Sequence, residues 1–216
     1  MRNIDELNNL NRRSEDIKKY FAEMDLTPKQ LKQRLEYAFA AFSIYDLILI
    51  MFLTMKEYDD IDEDYLKTTL TDRILSLITG MSTPDDYLID YAIKSSDAFV
   101  DTTIKNQDDE YYSSEERAEL NAKAGANAVV NYLEYITAKA EDKQYKTWVT
   151  IIDGKERATH HLLNGTRKKI DELFNVGGVR MRFPMDHLYA KDEEAYMKQS
   201  IKCRCKLKYS SVDKEV

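Results

Sequence analysis

The sequence predicts an α+β protein: a helical N-terminal region of about five helices over residues 1–142, then a small C-terminal α+β domain over residues 143–216 with a short, mainly antiparallel sheet. Three observations carry this expectation. Apolar residues recur at helical spacing between helix-start signals through the N-terminal region. Beyond Gln144 the pattern shifts to β-branched and aromatic residues broken by Asp-Gly, Asn-Gly and Gly-Gly. The chemistry-bearing residues follow the same shift. His160, His161, His187, Cys203, Cys205 and Trp148, the full complement of their types, all lie between Tyr145 and Tyr209.

From the N-terminus, Asp5 to Asp25 reads as an amphipathic helix with Leu7, Leu10, Ile17 and Phe21 near one stripe. Thr27-Pro28 pairs an N-cap hydroxyl with a proline at the first helical position, so a second helix starts there. Its run from Leu35 to Met55 is apolar enough to raise a membrane span, for which about 20 apolar residues suffice. Asp46 within that run would cost about 2.5–3.5 kcal/mol on insertion scales. Tyr37 and Tyr45 also lie inside it rather than at its edges, so a central buried helix is expected and no membrane partner.

A third helix is expected over 62–79 with Gly80 at its C-cap, and a fourth from Thr83-Pro84 to about Ile104. Ser113 and Glu116 have capping-box spacing ahead of a long helix over 114–140. After it, 146–152 reads as a strand closed by Asp153-Gly154, and 156–163 as a short helix stopped by Asn164-Gly165. Gly177-Gly178 introduces a strand over 179–183, and 188–200 reads as a charged spacer. A last strand is expected over 202–209, with Cys203, Cys205, Leu207 and Tyr209 on one side and Lys202, Arg204, Lys206 and Lys208 on the other.

Composition bounds the function classes. Hydrophobic residues at 43% and charged residues at 33% describe a globular chain with well-solvated helices, which excludes fibrous and disordered classes. The opening Met1-Arg-Asn-Ile-Asp-Glu lacks a secretory signal pattern. Two cysteines one residue apart meet disulfide geometry poorly, which fits a reducing compartment. The net charge of −7 divides into +6 over residues 143–216 and −13 over the remainder, so the two parts can face unlike partners.

Three kinds of chemistry are open to the C-terminal part. His160, His161, Cys203 and Cys205 are the candidate metal ligands, since zinc accepts two imidazoles and two thiolates. Adjacent helical side chains diverge, however, and Cys-x-Cys is tighter than the usual zinc spacing. The expectation is therefore cysteines packed in the core and no cofactor. A Cys–His pair could also serve a nucleophilic enzyme. The more economical reading makes Asp153, Arg157, His160, Asn164, Asp186 and Arg204 an internal polar network that holds a loop-rich module together. Finally, Arg180, Arg182, Lys202, Lys206 and Lys208 would form a basic face if both basic strands shared one sheet. An anionic partner would relieve its self-repulsion.

An ordered set of residues in this part resembles the phage Mu F-like minor head protein family, also called phage head morphogenesis proteins. The set comprises Trp148, Asp153, Arg157, His160, Asn164-Gly165, Phe174, Gly177-Gly178, Phe183-Pro184, Asp186 and Cys203-Arg204-Cys205. The upstream Asn127-x-x-x-Asn131 resembles the helix that often precedes the domain, while Lys202 stands where the family usually has Asn. The resemblance implies a non-enzymatic minor capsid protein of a tailed phage or prophage. Such a protein is present in a few copies inside the head and in the host cytoplasm during assembly. Its implied partners are portal, capsid or scaffold proteins, with non-specific DNA as a further anionic partner, and its implied role is procapsid assembly, DNA packaging or ejection. The alternative class is a His/Cys-dependent enzyme or toxin-like effector.

Overall fold

A computed structural model of the chain describes residues 4–211, with side chains from residue 12 onward. The chain falls into two compact units, Met1–Ala126 and Asn127–Val216. That division lies inside a helix, upstream of the change in composition at 142/143.

The first unit is helical. It contains α1 (Ile4–Ala22), α2 (Pro28–Glu57), α3 (Glu63–Thr79), α4 (Asp86–Lys105), a 3-10 turn (Glu110–Ser113) and the start of α5 (Glu115–Ala140). In α1, Ile17 and Phe21 are fully buried, while the side chains of Leu7 and Leu10 lie outside the described residues. Thr27 caps α2 by accepting from the Gln30 amide while the Gln30 side chain accepts from the Thr27 amide, a complete capping box. By length and composition α2 could cross a membrane. Within this unit Tyr37, Tyr45, Ile48 and Phe52 of α2 are buried, and Ile50 and Leu53 are exposed. Leu66, Leu70, Ile74 and Ile78 form the buried stripe of α3 at spacings of four residues.

Two helix starts differ from expectation. The cap of α4 is Asp85, whose carboxylate accepts from the Leu88 amide, so the helix begins at Asp86 rather than at Thr83-Pro84. A carboxylate placed next to the first turn satisfies an orphan amide and complements the helix dipole, and here it does both. Before α5, Ser113 closes the 3-10 turn, and it is the Ser114 hydroxyl that accepts from the Arg117 amide.

The second unit joins the rest of α5 to β1 (Tyr145–Val149), α6 (Ala158–His161), β2 (Arg167–Lys169), β3 (Phe174–Val176), β4 (Val179–Met181), α7 (Glu193–Ser200) and β5 (Lys206–Ser210). One antiparallel sheet has the order β2-β1-β5, and β3 and β4 form a separate hairpin. Gly177 and Gly178 are the two residues of that hairpin loop, with φ of 58° and 92°. A two-residue loop of the type I′ kind needs positive φ at both central positions, which is why the glycines are paired. Trp148 on β1 pairs with Leu207 on β5 and packs edge-on against Phe174, with ring centroids 5.1 Å apart.

Three expectations about this unit need correction. The basic strands β4 and β5 lie in different sheets, so they do not share a face. The last strand begins at Lys206 rather than Lys202, because Lys202 turns the chain with φ of 55°. The charged stretch read as a spacer contains α7, capped by the Asp192 carboxylate on the Ala195 amide.

Candidate functional site

The irregular segment from Lys202 to Cys205 runs into β5 and brings both thiols toward α6. His160 on α6, Cys203 and Cys205 are all buried, and their ligand atoms lie within 4.8 Å of one another. His160 Nδ1 is 3.2 Å from Cys205 Sγ and 3.8 Å from Cys203 Sγ. Thr150, just past β1, orients this corner. Its hydroxyl donates to the His160 carbonyl at 2.8 Å, accepts from Trp148 Nε1 at 3.1 Å and lies 3.5 Å from Cys205 Sγ. A cleft of about 20 Å³ opens beside the cluster, lined among others by Arg157, Lys202 and Arg204. That volume admits one water or one ion.

Electrostatics separates the two thiols. The hydrogen bond from Cys203, aided by His160, holds the Cys205 thiol below its ordinary range, and the same Cys203–Cys205 contact together with burial pushes the Cys203 thiol up. The site can therefore hold one thiolate against an imidazole, out of solvent.

The helix C-terminal carbonyls and turn amides nearby are satisfied by the residues read as a polar network, but in separate groups. Arg204 bonds both oxygens of Asp153 at 2.8 Å, and that pairing holds the Asp153 carboxyl below its usual range. Arg157 donates to the Ile201 carbonyl. Asn164 accepts from the Thr150 amide at 3.0 Å, closing the loop between β1 and α6. Asp186 engages a different set: it is fully buried and accepts from the Arg182 amide and guanidinium and from the Leu188 amide. His161 is exposed and turns away from the thiols to meet Glu156 at 3.1 Å, which pulls the Glu156 carboxyl down to about 2.

The basic residues are dispersed. Arg180, Lys202 and Lys208 are exposed, Arg182 is tied to Asp186, and Lys206 is buried. A lysine stem is long enough to bury its methylenes, so strand alternation did not decide the fate of Lys206.

The structure gives roles to residues that the sequence reading noted only by resemblance, Asn127 and Asn131, or passed over, Lys146 and Arg117. Asn127 on α5 donates to the Cys203 carbonyl at 3.0 Å, and Asn131 donates to the Pro184 and Cys205 carbonyls at 3.3 and 3.4 Å. Both are buried, one turn apart on one face of the helix, and they fix the backbone that carries the thiols. Two amides four residues apart in the otherwise apolar stretch Gly125–Leu133 were the available signal. Lys146 on β1 is fully buried, with its ammonium 5.3 Å from the Tyr135 ring and 5.4 Å from the Phe174 ring, and burial lowers its pKa to about 8. Arg117 is buried in the first unit, where the Phe99 and Tyr112 carbonyls accept from it.

Fold and cluster together define a class: an α+β chain in which a long helix leads into a small module closed by a Cys-Arg-Cys segment. The chain belongs to the phage Mu protein F like family, whose profile matches residues 92–208, just over half of its length. This is a family of phage head morphogenesis proteins, which makes the chain a head component assembled in the host cell. No curated protein and no solved structure matches it.

Proposed function

We propose that the protein is a minor head protein of a tailed phage or prophage, incorporated in a few copies, which docks on portal or capsid neighbours and acts in procapsid assembly, DNA packaging or ejection without catalysing a reaction. The family match carries this reading. The local geometry supports it, because the polar residues of the second unit spend their hydrogen bonds on the unit's own backbone. Asn127, Asn131, Asn164 and Arg157 all bond main-chain groups, which is the work of holding loops rather than of binding substrate. The rival enzymatic reading draws on the 3.2 Å approach of His160 Nδ1 to Cys205 Sγ. Against it, the side chains around that pair, Arg157, Thr150 and Asn164, are engaged with main-chain groups of the unit itself, which favours docking.

The test is quantitative mass spectrometry of purified heads, with crosslinking. The expected result is the chain present at substoichiometric copy number and crosslinked to portal or capsid protein. Its absence from heads of a phage that expresses it would overturn the proposal.

A further inference from the structure

We propose that His160 Nδ1, Cys203 Sγ and Cys205 Sγ bind a zinc ion whose fourth position faces the small cleft. Zinc bonds sulfur at about 2.3 Å and imidazole nitrogen at about 2.0–2.1 Å in tetrahedral geometry, so the nitrogen and each sulfur should stand about 3.6 Å apart. The two observed separations, 3.2 and 3.8 Å, bracket that value. Spacing in sequence argued against this fit, because Cys-x-Cys is tighter than the usual zinc pattern. The segment carrying the cysteines is irregular rather than extended, and Asn127 and Asn131 pin its carbonyls so that both sulfurs face the same imidazole.

Charge favours the same occupant. Two thiolates, one neutral imidazole and a divalent cation sum to zero, so the assembled site avoids the cost of burying an isolated charge. The donor set of two sulfurs and one ring nitrogen suits zinc over the hard oxygen-seeking cations. Three protein ligands with an opening beside them leave the fourth position to water, and the cleft has the volume for one. His160 Nε2 is buried and meets no hydrogen-bond acceptor. Its imidazole therefore lacks the outer partner that usually strengthens a histidine ligand, and the site binds more weakly than a complete four-ligand site. His161 takes no part, being turned to Glu156.

The experiment loads the purified full chain with zinc, or with cobalt as a spectroscopic probe, and measures bound metal by elemental analysis after removing excess. The expected result is one equivalent per folded chain, with the visible bands of tetrahedral cobalt and a thiolate-to-cobalt charge-transfer band. Cys203→Ser and Cys205→Ser should each reduce retained metal at least tenfold, while His161→Ala retains it in full. If the cysteine variants fail to fold, the cobalt spectrum of the wild-type chain decides alone, since only thiolate ligation produces the charge-transfer band. A folded wild-type chain that retains no metal, or a cobalt complex without that band, would overturn the site. Neither outcome bears on whether the chain is found in heads, so this inference and the proposed function fail independently.

Discussion

The two units are stabilised by different means. In the first, the helix faces are filled by Phe21, Tyr37, Phe52, Leu70, Ile74 and Phe99, all at most 2% exposed, beside a few buried polar groups such as Arg34 and Arg117, and stability follows chiefly from burying apolar area. The second unit is smaller and buries Lys146, Lys206, Asp186, Asn127, Asn131 and His160 among its apolar residues. Its short strands cannot supply a large core, so polar groups bonded to carbonyls and amides specify the loop paths instead. The lesson is a division of labour: apolar packing gives a unit its bulk, and buried hydrogen bonds give a loop-rich module its particular shape.

Breaking the buried ion pair should have the largest effect. Asp186→Ala leaves Arg182 and two amides without their acceptor and is expected to cost about 3–5 kcal/mol, read from urea unfolding of the second unit's tryptophan signal. A cost below about 1 kcal/mol would contradict the dependence of this unit on polar contacts.

Lys146→Met should move the second unit toward the manner of the first. Its amine titrates at about 8 when folded, against about 10.5 when unfolded. Below about pH 8 both states hold the proton, and the burial penalty is fully present. Between about pH 8 and 10.5 the unfolded chain holds protons that the folded chain has shed, so wild-type stability from this group rises with pH. The substitution is therefore expected to gain about 2–3 kcal/mol at pH 7, an advantage that shrinks toward pH 10 in parallel denaturation curves.

The smallest effect tests the packing side of the comparison. A Cβ at Gly125 would meet Tyr37 Cε1 at 3.0 Å and the Tyr91 hydroxyl at 3.2 Å. Gly125→Val should therefore cost the helical unit about 1–3 kcal/mol through overpacking, visible as a lowered helix melting temperature.

How much of this was legible follows from the same physics. Thr27-Pro28 at the start of α2 and Gly80 at the end of α3 are local signals, and local signals survive translation from sequence to structure. Asp85 was overlooked beside Thr83-Pro84, since a start motif and its better neighbour compete within three residues. Strands β2 and β3 are three residues each, too short to show alternation. The buried lysines were illegible because a charged residue on a strand is assigned to solvent by type, whereas tertiary packing decides where its stem goes. The convergence of His160 with both cysteines depends on Asn127 and Asn131 holding the intervening backbone, a long-range contact that no spacing rule contains.

Under the proposed function the second unit is a folded docking module whose buried polar residues set its shape. Its exposed Arg180, Lys202 and Lys208, though dispersed rather than on one face, are the residues of the basic set left to meet an anionic neighbour. The most direct test of this reading replaces the exposed Arg180, Lys202 and Lys208 together with Glu and measures the amount of chain retained in purified heads against its unfolding midpoint. The expected outcome is a clear loss of incorporation with an unchanged midpoint. A folded triple variant that enters heads at the wild-type level would contradict it.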